Sequence, residues 1–162
     1  MRLFALTKRV LTEAKPRVVA KFVYNFGVKG VRSVELHKRR RRRVENFPPF
    51  LFISVISSCQ LRCQGCWVDV AAPAQKLSLD DLNRIVGDAK AHGNAYFGIL
   101  GGEPFLHPEL LDLFAAHPDC YFQVFTNGQL ITDDIARKLA RLGNVTPLLG
   151  TLAVAGVQPR RT

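Results

Sequence analysis

The chain has 162 residues, 48% of them hydrophobic, and four cysteines, which is enough sequence for one domain with a real core and excludes a disulfide-stapled miniprotein. Its net charge of +10 is unevenly placed: residues 1 to 49 hold fourteen Lys and Arg against three acids, whereas residues 50 to 162 hold nine against ten. The basic character belongs to an N-terminal arm, and the body is nearly neutral.

No apolar run reaches the roughly 20 residues that a membrane-spanning helix needs. Lys8, Arg9 and Lys15 also interrupt the apolar core that a secretory signal requires. In chain order, Leu3, Leu6, Val10 and Leu11 fall at near-helical spacing, and Pro16 ends or restarts the pattern. Val18, Val19, Phe22, Val23 and Phe26 form a second apolar helical stripe, which Gly27 and Gly30 are expected to close. The plain reading of residues 1–47 is a basic helical extension packed on the domain that follows. The functional readings are an amphipathic element on an anionic membrane surface and a docking surface for a partner. Lys38 to Arg43 is an unbroken run of six basic residues. Such a run suits a solvated linker or helix face, or attraction to polyanions by counterion release. It has no interleaved aromatics and no recognisable nucleic-acid module around it, which argues against nucleic acid.

Pro48-Pro49 marks the boundary of the body, taken as residues 48–149. Phe50 to Ile56 reads as a buried strand. Ser78-Leu79-Asp80-Asp81 has the form of a capping box and opens a helix to about His92, with Gly93 as its stop and Leu79, Leu82, Ile85, Val86 and Ala89 as its buried face. Ala95 to Leu100 is the second strand. Pro108 opens a short helix to about Ala116, and Tyr121 to Phe125 is the third strand. Thr132-Asp133-Asp134 caps a helix bearing Ile135, Leu139 and Leu142 and stopped by Gly143. Val145 to Leu149 is the fourth strand. This alternation predicts an α/β fold with a parallel sheet and right-handed connections. Residues 150–162 show no caps and read as an irregular tail.

Three segments follow three successive strands and therefore emerge at one sheet edge, where α/β proteins place their sites. The first is Cys59-Gln60-Leu61-Arg62-Cys63-Gln64-Gly65-Cys66, with three thiols on one loop. Clustered thiols suit metal or cluster ligation in a reducing compartment. They can hold three irons of a 4Fe-4S cluster and leave the fourth iron open. The second is Gly101-Gly102-Glu103-Pro104. Its glycines would let a ligand approach the backbone, and its carboxylate suits an ammonium group. The third is Thr126-Asn127-Gly128. Cys120 reads as a small core residue. His92, His107 and His117 read as caps or exposed loop-end residues, and Trp67 as a cover for a cluster or for core.

The Cys59-x3-Cys63-x2-Cys66 pattern after one strand, joined to Gly101-Gly102-Glu103-Pro104 after the next, resembles the core of the radical S-adenosylmethionine superfamily. The resemblance implies a partial parallel (β/α) barrel, here about three and a half units. Cys59, Cys63 and Cys66 would be cluster ligands. Gly101, Gly102 and Glu103 would contact the methionyl part of S-adenosylmethionine, with Thr126 and Asn127 a weaker match to cofactor-binding segments. It further implies a cytoplasmic oxidoreductase-type enzyme that cleaves the cofactor to a 5'-deoxyadenosyl radical, with a small-molecule or peptide substrate and an electron donor such as flavodoxin or ferredoxin. The sequence departs from the family at Gly65, where many members carry an aromatic residue. It also ends early, so that a fragment or truncated product, impaired in turnover, is the expectation. Two other readings use the same residues: a structural zinc site made by the three thiolates with Cys120 or a histidine, and a basic anchoring module at the inner face of a membrane without catalysis.

Overall fold

The computed structural model describes residues 16–42, 47–63 and 65–150. The expected helix over Leu3 to Leu11, the end of the basic run at Arg43 and the tail from residue 151 lie outside the described residues.

Four strands, β1 (Leu51–Ser54), β2 (Tyr96–Leu100), β3 (Tyr121–Thr126) and β4 (Val145–Leu149), form one sheet in the order β1-β2-β3-β4, with every neighbouring pair parallel. Sequential order with a helix in each connection winds the sheet in one direction, as in a barrel segment; a doubly wound sheet reverses. β1 is shorter than the predicted Phe50 to Ile56. Its ladder to β2 ends at Ser54, although Val55 N–H still donates to the Leu100 carbonyl at 2.9 Å.

Helices α3 (Leu79–Ala91), α4 (Leu110–Ala116) and α5 (Asp133–Leu142) lie in the three connections. Ser78 caps α3 by accepting from Asp81 N–H, and its hydroxyl donates to the Asp81 carboxylate at 2.7 Å. The reciprocal half of the capping box is thus closed between side chains. Thr132 caps α5 in the same way through Ile135 N–H, and Gly143 ends it in the left-handed region at φ +66°. α4 starts two residues later than predicted, since Pro108 and Glu109 form a turn ahead of it; a separate 3-10 turn, Pro104–Leu106, precedes that.

The core lies between one sheet face and these helices. Ile53, Phe97, Ile99, Phe122, Val124 and Val145 meet Leu82 and Val86 of α3, Leu113 and Phe114 of α4, and Leu139 of α5. Phe122 stacks on Phe97 with centroids 5.6 Å apart and meets Phe114 at 4.9 Å. The opposite face carries the register row Phe52, Gly98, Gln123 and Thr146. The Phe52 ring covers Gly98, where an added Cβ would lie 2.2 Å from it.

The N-terminal arm is α1 (Pro16–Phe22), a π-helical turn (Val23–Val28) and α2 (Lys29–Arg41). Gly27 and Gly30 do not close the helix, contrary to expectation. At Gly27 the chain widens to the π turn, whose last N–H, that of Lys29, bonds back to the Tyr24 carbonyl. The helix then runs on through the basic stretch to Arg41.

Phe122 touches both neighbouring rings and is fully enclosed. Phe122→Ala is therefore expected to cost about 3–5 kcal/mol, as aromatic truncation in a packed core does, read as a lowered denaturant midpoint of the whole chain.

Candidate functional site

The backbone after β1 runs hard against the end of β2. Gly102 N–H donates to the Ile56 carbonyl at 2.7 Å and Glu103 N–H to the Ser58 carbonyl at 2.8 Å. A Cβ on Gly101 would sit 2.3 Å from the Ile56 carbonyl oxygen, and one on Gly102 would sit 2.1 Å from that of Ser58. Gly101 also holds φ +149°, a region that residues with side chains avoid. The close approach expected here is thus made by the chain's own backbone, one residue ahead of Cys59.

Glu103 is fully buried. Its carboxylate accepts from Thr126 Oγ1 at 2.7 Å, from Phe105 N–H at 3.1 Å and from Asn127 N–H at 2.9 Å. The negative charge foreseen for an ammonium group is in this structure held by donors from the end of β3 and from its own turn. Thr126 Oγ1 accepts in turn from Gly128 N–H.

Asn127 carries the linkage to the cysteine loop. Its side-chain oxygen accepts from Gln60 Nε2 at 3.2 Å and from Gln129 N–H at 3.0 Å, while its Nδ2 donates to Cys59 Sγ at 3.9 Å. Leu61 N–H donates to the same sulfur at 3.4 Å. The three segments that the sequence placed at one edge are therefore joined in one hydrogen-bonded chain from Phe105 through Glu103 and Asn127 to Cys59. Gln60 was not foreseen. Nothing in its position beside Cys59 announces a partner 67 residues away.

All four cysteines are free; Cys59 and Cys63 are half-buried, Cys66 is exposed and Cys120 is buried. Cys66 N–H bonds back to the Cys63 carbonyl at 3.2 Å, and Gly65 turns the loop at φ +76°. The glycine at this departure from the family pattern thus meets a backbone requirement. Burial pushes the Cys59 thiol up; the Leu61 N–H opposes this, and Glu103 and the other two cysteines add to it. Trp67, 70% exposed, covers no core.

Among the described residues no three His, Cys, Asp or Glu side chains stand close enough to hold a single metal ion. Three thiols on one loop, two half-buried and one exposed, are donors of the kind that a 4Fe-4S cluster would take, one to a corner. A lone zinc draws every sulfur to about 2.3 Å, whereas a 4Fe-4S cube takes each thiolate on a different corner, so its donors stand further apart. Cys120, before the first residue of β3, is at the end of the strand away from the loop, and burial pushes its thiol up to about 12. The four histidines are engaged elsewhere: His37 is bonded to the Phe47 carbonyl, His92 stacks on Phe47, His107 is buried and bonded to the Leu77 carbonyl, and His117 is bonded to Asn83. His107 is thus no exposed loop residue, and the zinc reading finds no fourth donor here.

The sequence profile of the radical SAM superfamily matches residues 53–154. The chain belongs to that superfamily. It is 32% identical over 103 residues to the tungsten-containing aldehyde ferredoxin oxidoreductase cofactor-modifying protein of Pyrococcus furiosus, covering 58% of this chain and 28% of that protein. It is 30% identical over 107 residues to the GTP 3',8-cyclase of Acaryochloris marina, covering 60% and 32%. The crystal structure of Streptococcus suis SuiB bound to S-adenosylmethionine superposes with a TM-score of 0.60 at 29% identity, covering 69% of this chain and 27% of that one. The radical SAM chain thus spans about 30% of the length of these curated relatives. Its parallel sheet is the partial barrel expected of the superfamily.

Two outcomes test this geometry. Iodoacetamide near pH 8 should label Cys66 fastest, Cys59 more slowly and Cys120 only after unfolding, read by peptide mass spectrometry; prompt labelling of Cys120 would contradict its burial. Glu103→Gln leaves the Asn127 or Thr126 donor without its acceptor inside the protein. It should cost about 1.5–3 kcal/mol, with faster hydrogen exchange at the Asn127 amide.

Proposed function

We propose that this chain carries the cluster-binding and S-adenosylmethionine-binding part of a cytoplasmic radical SAM enzyme. Cys59, Cys63 and Cys66 hold a 4Fe-4S cluster, and the Gly101-Gly102-Glu103 and Thr126-Asn127 segments border the cofactor. The observation that carries the reading is the hydrogen-bonded chain from Glu103 through Asn127 to Cys59, which makes one site of three loops.

When bound and reduced, the cluster supplies the electron that cleaves S-adenosylmethionine to a 5'-deoxyadenosyl radical. The protein's own residues position. Gly101 and Gly102 bring the backbone before Cys59 against β2, so the first thiolate is set by the sheet. The Asn127 amide and the Leu61 N–H donate to the Cys59 sulfur, and donors to a ligating sulfur raise a cluster's potential. Glu103 fixes the Asn127 backbone and hence that donor. A small-molecule or peptide substrate and a flavodoxin-like or ferredoxin-like electron donor complete the reaction. SuiB, solved with its precursor peptide SuiA, is the relative that favours a peptide.

Anaerobic reconstitution of the chain is expected to give iron and acid-labile sulfide at roughly four each, with an electron paramagnetic resonance signal that changes when S-adenosylmethionine is added. Cys59→Ala, Cys63→Ala and Cys66→Ala should each lose the cluster, and Cys120→Ala should keep it. A colourless, zinc-loaded protein, or a signal indifferent to the cofactor, would overturn the reading. Gly102→Ala, which displaces Ser58 beside the first ligand, should lower the iron content several-fold while the sheet still melts cooperatively.

A further inference from the structure

The N-terminal helical arm has two unlike sides. Its inner side is fastened to the body: Phe22 meets Tyr121 at 5.2 Å and Phe26 meets Tyr96 at 5.3 Å between centroids. Lys21 Nζ donates to the Leu142 carbonyl at 2.8 Å, and Arg40 donates to the His92 carbonyl at 2.6 Å. Tyr96 and Tyr121 are the first residues of β2 and β3, and Leu142 and His92 lie where α5 and α3 end. The arm therefore crosses the amino ends of the strands, opposite the cysteine loop.

Its outer side is apolar where a soluble helix would be polar. Val23, Tyr24 and Val28 are more than half exposed, and Val31, 71% exposed, also lines the groove between α2 and Phe50, Phe52 and Tyr96 of the body, as Lys38 does. Val23 and Val28 are the first and last residues of the π turn, and Val31 follows three positions on in α2. Beyond the row the helix becomes cationic, with Lys38, Arg39, Arg41 and Arg42 all exposed. The single acid of α2, Glu35, is paired with Arg39 at 3.3 Å.

We infer that this outer side is a docking surface for a bilayer rich in anionic phospholipid. The cations need anions and the bare valines need hydrocarbon, and a headgroup interface offers both along one helix. Nucleic acid would match the cations, yet it has nothing to lay against a row of valines. The placement has a consequence for the chemistry: with the amino ends of the strands against the membrane, the thiol loop points toward water, where a soluble electron donor can reach it.

The test is co-sedimentation of the full chain with phosphatidylcholine vesicles, with and without about a third phosphatidylglycerol, at low and high salt. Binding is expected to the anionic vesicles alone and to weaken with salt. Replacing Lys38, Arg39, Arg41 and Arg42 by Gln should weaken it at least tenfold, since each cation near an anionic surface multiplies affinity severalfold. Val28→Ser with Val31→Ser should weaken it several-fold as well. Both sites are exposed, so an unchanged circular-dichroism melt separates lost docking from lost fold. No pelleting, a dimer in sedimentation that leaves the vesicles unbound, or binding indifferent to the valine pair and matched by an RNA oligonucleotide would overturn the inference. Cluster reconstitution reads none of these outcomes, so the two proposals fail independently.

Discussion

A carboxylate taken wholly out of water must be surrounded by donors or it destabilises the fold, and Glu103 is such a group. Its donors come from two places, its own 3-10 turn and the end of β3. Keeping the charge buried therefore keeps β2 and β3 in fixed relation at their carboxyl ends. Asn127, whose backbone satisfies that carboxylate, uses its side chain on Gln60 and on the Cys59 sulfur. Glu103 thus holds the cysteine loop twice, through its own N–H on the Ser58 carbonyl and through Asn127 on the Cys59 sulfur. The double glycine supplies the other half of the constraint, because side chains there would push Ile56 and Ser58 away.

The parallel winding separates the two ends of the sheet. Each strand delivers a loop to the carboxyl edge, and each helix returns the chain to the amino edge before the next strand starts. The amino edge is covered by the helical arm, which anchors through aromatic contacts to the first residues of β2 and β3. Those two tyrosines sit on the face away from the core helices: Tyr96 is bonded through its hydroxyl to Gln123, and Tyr121 to Thr146. That face carries these two polar bonds beside an aromatic cluster in which Phe52 meets Phe125 at 6.0 Å and Phe50 at 6.2 Å between centroids. The site and the arm can accordingly change independently, since no described hydrogen bond joins them.

Where a signal is local, the sequence shows it. Ser78 and Thr132 cap because a hydroxyl three residues before a free N–H can do little else. Gly143 stops α5 because only a left-handed residue closes that turn economically. The strand order follows from β/α alternation, and Cys120 reads as core from its apolar neighbours. What cannot be read is tertiary. The occupant of the space over Gly101 and Gly102 is a backbone more than 40 residues earlier, the Thr126 and Asn127 donors reach Glu103 only once β3 lies beside β2, and Gln60 acquires a role only when Asn127 arrives. The arm fails for a different reason. Glycine is a weak helix stop when the flanking apolar stripe is anchored by tertiary contacts, so the helix passes Gly27 by widening.

The same tertiary facts separate the two inorganic occupants that three thiols permit. A tetrahedral zinc needs a fourth donor, and the candidate on β3 is Cys120, six residues from Thr126. At about 3.3 Å per residue that is roughly 20 Å from the edge that carries the loop. A cluster needs no fourth protein ligand, because an iron left bare is where a chelating amine and carboxylate can bind. Unequal thiols also suit a cluster. Cys59, half-buried and twice hydrogen-bonded, gives a corner fixed by the sheet, while exposed Cys66 lies on a turn hinged at Gly65.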